Sequence, residues 1–123
     1  MKHNTRQRQA IVNCLNIADG PMSPNEVHEQ AIKFVDGLGI ATVYRNLRLL
    51  VSEGKIREIY FPGENSRYEM ADLGHHHHFL CRKCDRVFCI KGCPGGFKNM
   101  IPSGFVLEEH EIVLYGKCED CQH

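Results

Sequence analysis

The sequence predicts an α+β protein with two parts, an N-terminal domain over residues 1–71 and a small α/β domain over residues 72–123. Two observations lead to this division. Three stretches with helical spacing of apolar residues precede a stretch that alternates as a strand does, all before residue 71. Six of the seven cysteines, by contrast, follow residue 80. The segment Ala71–Gly74 between the two parts has the composition of a hinge.

The first two helices are predicted from their start signals and apolar spacing. Helix one is expected over Arg6–Ala18, with Thr5 as its N-cap. Helix two opens on the capping box Ser23-Pro24-Asn25-Glu26, in which proline occupies the first helical position. It is expected to run to about Phe34, with Ile32 facing the core.

The third helix is predicted over Ala41–Glu53, because apolar residues recur at positions i, i+4, i+7 and i+8. These apolar residues form one buried stripe: Val43, Leu47, Leu50 and Val51. The opposite face carries polar and aromatic side chains: Thr42, Tyr44, Arg45, Asn46 and Arg48.

A β-hairpin is predicted after the helices, from strands over Lys55–Phe61 and Ser66–Met70 joined by the turn residues Pro62–Asn65. Three helices followed by a hairpin outline a winged helix-turn-helix, whose third helix is the one offered to the major groove of double-stranded DNA. The chain is neutral overall, yet residues 1–60 carry eight basic against six acidic residues. An ordinary solvated helix face, or a winged helix that binds protein instead of DNA, is the alternative interpretation.

The second domain is predicted to hold three strands, over His77–Cys81, Arg86–Ile90 and Phe105–Tyr115. A short helix is expected near Phe97–Met100. This domain is therefore a small α/β unit, joined by loops rich in glycine.

Two CxxC pairs bracket this domain, and they predict a structural zinc site with four thiolate ligands: Cys81, Cys84, Cys118 and Cys121. The alternative from another class is a thiol redox enzyme that uses a CxxC pair. Such enzymes place the motif at a strand-to-helix turn in a βαβ frame, and no such frame is predicted around either pair.

Three segments of the chain closely resemble the ferric uptake regulator family of metal-sensing repressors. They are Thr42-Val-Tyr-Arg-Asn-Leu, the run HHHHFLCRKC from His75 to Cys84, and the segment from His110 to Cys121. The resemblance implies a winged helix, a hinge and a dimerisation lobe. It also implies a homodimer that binds operator DNA when it holds a regulatory metal, with Tyr44 and Arg45 at the DNA.

The resemblance also implies a regulatory metal site, carried over by spacing from Cys81 onto four residues: Glu69, His76, His78 and Cys89. Iron- and peroxide-responsive members usually have an acid where this chain has Cys89, and many members have a histidine where it has Pro21. A set of one carboxylate, two imidazoles and one thiolate favours Zn(II) over Fe(II) or Mn(II). The same residues leave an Fe(II)- or peroxide-sensing member as the alternative.

A further site of the family corresponds to His75, His77 and His110. Its acidic ligand has no clear match, because counting places Gly96 there; three acids nearby are alternatives: Glu108, Glu109 and Glu111. Cys93, four residues after Cys89, remains open as a substitute for Cys89 in the regulatory site or as a redox partner.

Several classes of protein are disfavoured by what the sequence lacks. No apolar run approaches the roughly 18 residues that a membrane span needs, and the N-terminus lacks the apolar core of a signal peptide. A cytoplasmic protein without a membrane partner is therefore predicted. In that reducing compartment, cysteines are metal ligands or redox thiols more often than members of disulfides. No hydrolytic triad, phosphate loop or nucleotide fingerprint occurs, so the sequence predicts a protein that is not an enzyme.

Overall fold

A computed structural model of the chain describes residues 2–122, with side chains from residue 5 onward. The chain divides into two compact units, Met1–Gly74 and His75–His123. The boundary follows Gly74, whereas the sequence placed it after Ala71. Helices dominate the first unit and a sheet dominates the second, which confirms the predicted α+β class. Within residues 2–122, no helix combines the length and the hydropathy that crossing a bilayer demands.

The described part of the first unit forms three helices and then a hairpin. The elements are α1 (Lys2–Ile17), α2 (Pro24–Ala31), α3 (Ile40–Ser52), β1 (Ile56–Ile59) and β2 (Arg67–Met70). Strands β1 and β2 pair antiparallel, with Ile56 opposite Met70. This order confirms the predicted winged helix-turn-helix.

The core of the first unit is built by one apolar face from each helix. Six of its side chains are fully buried: Ile11, Val27, Ala31, Val43, Leu47 and Leu50. The predicted capping box is present, since the Ser23 hydroxyl accepts the Glu26 N–H and the Glu26 carboxylate accepts the Ser23 N–H. These two bonds satisfy N–H groups that the start of α2 would otherwise leave unpaired.

Three details of the helix predictions were wrong. Thr5 is not a cap, because α1 already includes it. Ile32 does not face the core, and 47% of it is exposed. Ala31 takes the buried position one turn after Val27, so the next residue, Ile32, points away from the core. Helix α2 ends at Ala31 and does not reach Phe34.

The second unit is organised by a three-stranded sheet in the order β4-β3-β5. Its strands are β3 (His76–Cys81), β4 (Val87–Lys91) and β5 (Val113–Gly116). Strand β3 is central, antiparallel to β4 and parallel to β5. Short 3₁₀ turns occur at Phe97–Asn99 and Glu119–Cys121, the first of them close to the predicted helix.

The predicted strand over Phe105–Tyr115 was wrong for most of its length. Strand β5 begins only at Val113, and residues 105–112 have no regular structure. The register gives the reason: β5 pairs with β3 from His78 to Cys81, and β3 itself begins at His76. In this register, residues before Glu111 have no residue of β3 opposite them. Two apolar side chains at the start of this segment face solvent instead, since Phe105 is 67% exposed and Val106 is 85% exposed.

The second unit has few hydrocarbon side chains to bury. Among its described residues, the buried aliphatic side chains are Leu80 and Val87. The other buried side chains belong to two cysteines and two histidines: Cys81, Cys118, His77 and His78. A unit of about 50 residues buries too little apolar surface to be comfortably stable alone. Its sulfur and imidazole groups are therefore the candidates for additional stabilisation, through metal binding.

Candidate metal centres and nucleic-acid interface

The polar face of α3 is a candidate nucleic-acid interface. Arg45 and Arg48 are exposed, and Tyr44 is 43% exposed, because the opposite face of the helix is buried in the core. Thr42 organises two neighbours: its hydroxyl accepts a 2.8 Å hydrogen bond from Arg45 Nη2, and its carbonyl accepts a 2.9 Å bond from Asn46 Nδ2. The five residues predicted to contact DNA thus lie on one helix, with three of them open to a partner.

The hairpin of the first unit carries Glu69, the acid predicted to bind a regulatory metal. Glu69 lies on β2 opposite Arg57 of β1, and it is only 3% exposed. Arg57 Nη2 lies 2.5 Å from its Oε2 atom. The carboxylate is therefore buried and paired with a neighbouring cation.

The second unit brings the four predicted sulfur ligands together. The Sγ atoms of Cys81, Cys84, Cys118 and Cys121 all lie within 4.8 Å of one another. Cys81 ends β3, Cys84 follows in the turn to β4, and the other pair follows β5. Cys84 Sγ and Cys118 Sγ are 3.8 Å apart, which equals the edge of about 3.8 Å expected for a tetrahedron with Zn–S bonds of about 2.3 Å.

Hydrogen bonds in this cluster favour thiolate sulfurs. The Cys84 and Cys118 N–H groups donate to Cys81 Sγ and lower the pKa of Cys81 to about 6. Arg86 donates from Nε to Cys84 Sγ at 3.4 Å, which lowers the pKa of Cys84, and from Nη2 to Cys118 Sγ at 3.6 Å. The pKa of Cys121 is instead raised to about 12, chiefly by its hydrogen bond with Cys118.

These opposite shifts arise because four sulfurs share one small volume. Four adjacent thiolates repel one another, so the last sulfur keeps its proton unless a cation balances the charge. A divalent ion that prefers sulfur, such as Zn(II), would remove this conflict. The donor set and its spacing therefore fit a structural zinc.

Strand β3 presents its histidines on two faces, because side chains alternate along a strand. His76 and His78 share one face, with ring centroids 4.8 Å apart. Cys89 is the register partner of His78 on β4, and directly opposite residues of an antiparallel pair share a face. Three of the predicted regulatory ligands thus lie on one side of this sheet, and the fourth, Glu69, belongs to the first unit.

The other histidines form a second cluster together with Cys93. Ligand atoms of His75, His77, Cys93 and His110 all lie within 4.8 Å of one another. His110 Nε2 is 3.2 Å from His75 Nε2 and 3.2 Å from Cys93 Sγ. The predicted trio is brought together, and among the described residues no acid joins it: Glu108, Glu109 and Glu111 lie outside the cluster.

His77 is the buried member of this second cluster. Its Nδ1 atom accepts a 3.2 Å hydrogen bond from the Ile112 N–H, which fixes the ring. Its Nε2 atom is buried without a hydrogen-bond partner among the described residues. Burial, followed by the neighbouring imidazoles, lowers the pKa of His77 and keeps it neutral, the form in which imidazole binds metals.

Two of these residues were not assigned from the sequence. Arg86 was not considered, because nothing in a CxxC pattern indicates which cation will lie beside the sulfurs. Cys93 was left open, since its place depends on the path of the loop that holds it. Gly92, Gly95 and Gly96 adopt positive φ angles, and these turns direct Cys93 to His110. The run Gly-Cys-Pro-Gly-Gly was the available signal of a sharply turning loop.

Comparison with known proteins adds family relationships to this geometry. The family model described as ferric uptake regulator family matches residues 2–115. The ferric uptake regulation protein of Campylobacter jejuni is 31% identical over 132 residues, covering 97% of this chain and 79% of that protein. A solved zinc-bound manganese uptake regulator aligns with a TM-score of 0.80 at 27% identity, covering 94% of this chain and 95% of that one. FurB from M. tuberculosis, described as a zinc uptake regulator, aligns with a TM-score of 0.54 at 29% identity, covering 97% and 95%.

Proposed function

The chain belongs to the ferric uptake regulator family of metal-responsive regulators, and on this premise we propose that it is a Zn(II)-sensing repressor of metal uptake genes. In this proposal a homodimer binds double-stranded operator DNA in the cytoplasm when a regulatory metal is bound. The observation that carries the choice of metal is Cys89, which lies opposite His78 where iron-responsive members usually have an acid. A thiolate ligand suits Zn(II) better than Fe(II) or Mn(II).

DNA binding is supported by the third helix of the winged helix. Two arginines and a tyrosine project from α3, and such side chains form hydrogen bonds with base edges and phosphates in the major groove. The remaining proposed contacts are Thr42 and Asn46, whose mutual hydrogen bond holds part of this face in place.

The four-cysteine cluster is proposed to bind a structural zinc. When bound, the ion supplies the positive charge that lets all four sulfurs be thiolates. Its ligands are drawn from both ends of the second unit, so it joins segments that few apolar contacts hold together.

The proposed regulatory site adds Glu69 of the first unit to His76, His78 and Cys89 of the second. This donor set has two negative charges and matches a divalent cation. Because its ligands come from both units, metal binding would change how often the two α3 helices of a dimer have the spacing of two successive major grooves. Coupling between metal and DNA of about 1–3 kcal/mol, or roughly 5–150-fold in affinity, is typical of allosteric proteins.

Relatives with other metals define the second candidate function. The Campylobacter jejuni relative is named for ferric uptake, and a peroxide-responsive repressor of Staphylococcus saprophyticus is 25% identical over 121 residues. An Fe(II)- or peroxide-sensing role is therefore the alternative within the family. Titration of DNA binding with Zn(II), Fe(II) and Mn(II) under anaerobic conditions separates these roles.

A thiol redox enzyme is the alternative from a different class, and the local structure disfavours it. Cys81 ends β3 and the chain enters β4 six residues later, so this CxxC does not lie at a strand-to-helix turn. The convergence of four sulfurs also suits metal binding better than exchange with a substrate disulfide. Turnover in a disulfide-reductase assay by protein that holds no zinc would favour the enzyme.

Replacing Cys89 with serine is expected to remove most of the gain in DNA affinity that Zn(II) produces. That gain is expected to be roughly 5–150-fold. The serine hydroxyl is a much weaker zinc ligand than a thiolate. The measurement is fluorescence anisotropy on a palindromic duplex selected from a random pool by the zinc-loaded protein. Cys14→Ala is the control, because Cys14 is buried in the first unit and joins no cluster of metal-ligand groups among the described residues. An unchanged zinc response in Cys89→Ser would contradict the assignment of this ligand.

Arg86 is expected to slow the loss of the structural zinc, because it donates hydrogen bonds to two of the four sulfurs. Arg86→Gln should therefore transfer zinc to a competing chelator roughly 10–100-fold faster, the usual cost of losing a partner of a metal ligand. Arg82→Gln is the matched control, since Arg82 lies over the Tyr115 ring, 4.8 Å from its centroid. Equal release rates in the two variants would show that Arg86 does not stabilise the bound metal.

A further inference from the structure

We propose that Arg57 is a counter-cation that the regulatory metal displaces from Glu69, and that it thereby sets the zinc concentration at which the regulatory site fills. This inference rests on the proposed function, because it takes Glu69 as a ligand of the regulatory metal. Arg57 binds no metal itself and acts through the carboxylate beside it. Its role is to oppose binding, so that the site fills only above a threshold of zinc.

The pairing of Arg57 with Glu69 follows from the register of the hairpin. The two residues face each other across β1 and β2, and Arg57 Nη2 lies 2.5 Å from Glu69 Oε2. Arg57 also has an acid next to it in sequence, Glu58, but successive side chains of a strand point to opposite faces. Glu58 accepts a 3.1 Å hydrogen bond from the Tyr68 hydroxyl on that other face. The hairpin therefore directs Arg57 to Glu69, the proposed ligand.

The two partners differ in burial, and this difference makes the pair displaceable. The Arg57 side chain is 52% exposed, whereas the Glu69 side chain is 3% exposed. A half-exposed guanidinium that loses its partner is solvated by water, but a buried carboxylate needs a cation in the same place. An incoming metal ion can therefore take over Glu69 while Arg57 turns into solvent at little cost.

A second ion pair on the same hairpin has the opposite arrangement. The Arg67 side chain on β2 is 7% exposed, and its Nη1 atom lies 2.5 Å from Oε1 of Glu26, whose side chain is 30% exposed. Arg67 also donates a 3.3 Å hydrogen bond to the Pro21 carbonyl. Here the cation is the buried partner, so breaking the pair would leave an unpaired charge inside the protein. This pair holds β2 to the start of α2, whereas the pair of Arg57 can exchange its cation.

Charge decides the direction in which Arg57 acts on metal binding. The proposed ligands Glu69 and Cys89 supply two negative charges, which a divalent ion balances. With the guanidinium still at Glu69, the occupied site would carry an excess positive charge, and like charges repel. A hydrogen bond to a ligand also orients it, but a cationic donor withdraws the negative charge that the metal needs. We therefore expect Arg57 to weaken zinc binding.

The test measures Co(II) binding, and its displacement by Zn(II), in the full chain with the four-cysteine cluster filled with zinc. A Cys93→Ala background is used, so that thiolate-to-cobalt absorption reports Cys89, because Cys14 is buried in the core of the first unit. We expect Arg57→Gln to bind Zn(II) roughly 5–50-fold more tightly, a range between the values of an exposed ion pair and of a hydrogen bond to a charged group.

Two further variants separate charge from other effects of the substitution. Arg57→Lys retains the cation and should show at most a small part of the gain. Arg8→Gln is the matched control, because Arg8 pairs with Glu53, an acid of the same unit that joins no cluster of metal-ligand groups in the described part of the chain. Its affinity for zinc should equal that of the parent protein. An equal gain in Arg57→Lys or in Arg8→Gln would overturn the proposal.

A double-mutant cycle with Glu69→Gln shows whether Arg57 acts through this carboxylate. Glu69→Gln should weaken zinc binding, and Arg57→Gln should have no further effect in that background. If Glu69→Gln weakens binding but Arg57→Gln alone leaves it unchanged or weakens it, Arg57 does not compete with the metal, and the regulatory site stands. If Glu69→Gln has no effect, the assignment of Glu69 as a ligand fails, and this inference fails with it. Arg57→Met keeps the length of the side chain and provides the same comparison where Arg57→Gln does not fold.

Discussion

Replacing Cys118 with serine is expected to unfold the second unit while the winged helix stays folded. Apparent free energies of binding for structural zinc are about 10–16 kcal/mol near neutral pH. Whole domains are stable by only about 5–15 kcal/mol, so a unit whose aliphatic core is centred on Leu80 and Val87 should not survive loss of this ion. The first unit contains its own apolar core, which includes Leu47, and it should not need the metal.

The measurement is hydrogen–deuterium exchange resolved by peptide. In Cys118→Ser, amides of β3, β4 and β5 should exchange at rates close to those of an unfolded chain, while amides of α1, α2 and α3 should stay protected. Cys89→Ser is the control, because it removes a thiol from the same sheet and leaves the four-cysteine cluster intact. Protection of β3 in Cys118→Ser at the control level would mean that the sheet is stable without this zinc.

The winged helix was largely predictable because its signals are local. The Ser23 capping box specifies the start of α2 through bonds within four residues, and the spacing of Val43, Leu47 and Leu50 identifies the buried face of α3. Ile32 shows the limit of this reasoning. The sequence offers Ala31 and Ile32 side by side, and the more hydrophobic residue is not the one that packs against the core.

The second unit was less predictable because its contacts are distant in sequence. The convergence of four cysteine sulfurs followed from the spacing of the two CxxC pairs, but Cys93 meets His110 only after a loop with three glycines at positive φ. The parallel pairing of β3 with β5 likewise joins residues about 35 positions apart, and it limits the strand to Val113–Gly116. Alternation of apolar residues predicts a longer strand, but it carries no information about where a partner ends.

Replacing both Arg45 and Arg48 with alanine is expected to abolish sequence-specific DNA binding. A good contact between an arginine and a base edge is worth roughly 1–3 kcal/mol, so the pair should cost about 2–6 kcal/mol, or roughly two to four orders of magnitude in affinity. Both side chains are exposed, and the one side-chain hydrogen bond described for Arg45 is to Thr42. The fold should therefore be nearly unaffected, since surface substitutions usually change stability by about 0.5 kcal/mol or less.

The salt dependence of binding separates the two ways in which these arginines can act. An arginine that contacts a phosphate contributes about one unit to the slope of log affinity against log salt, whereas an arginine on a base edge contributes mainly to discrimination between sequences. The matched control replaces Arg82 and Lys83 with alanine, because it removes the same charge from the second unit. If both double variants bind the zinc-selected duplex equally, with equal slopes, α3 does not read DNA. Its polar face would then fit a protein partner, and the metal sites would regulate that association instead.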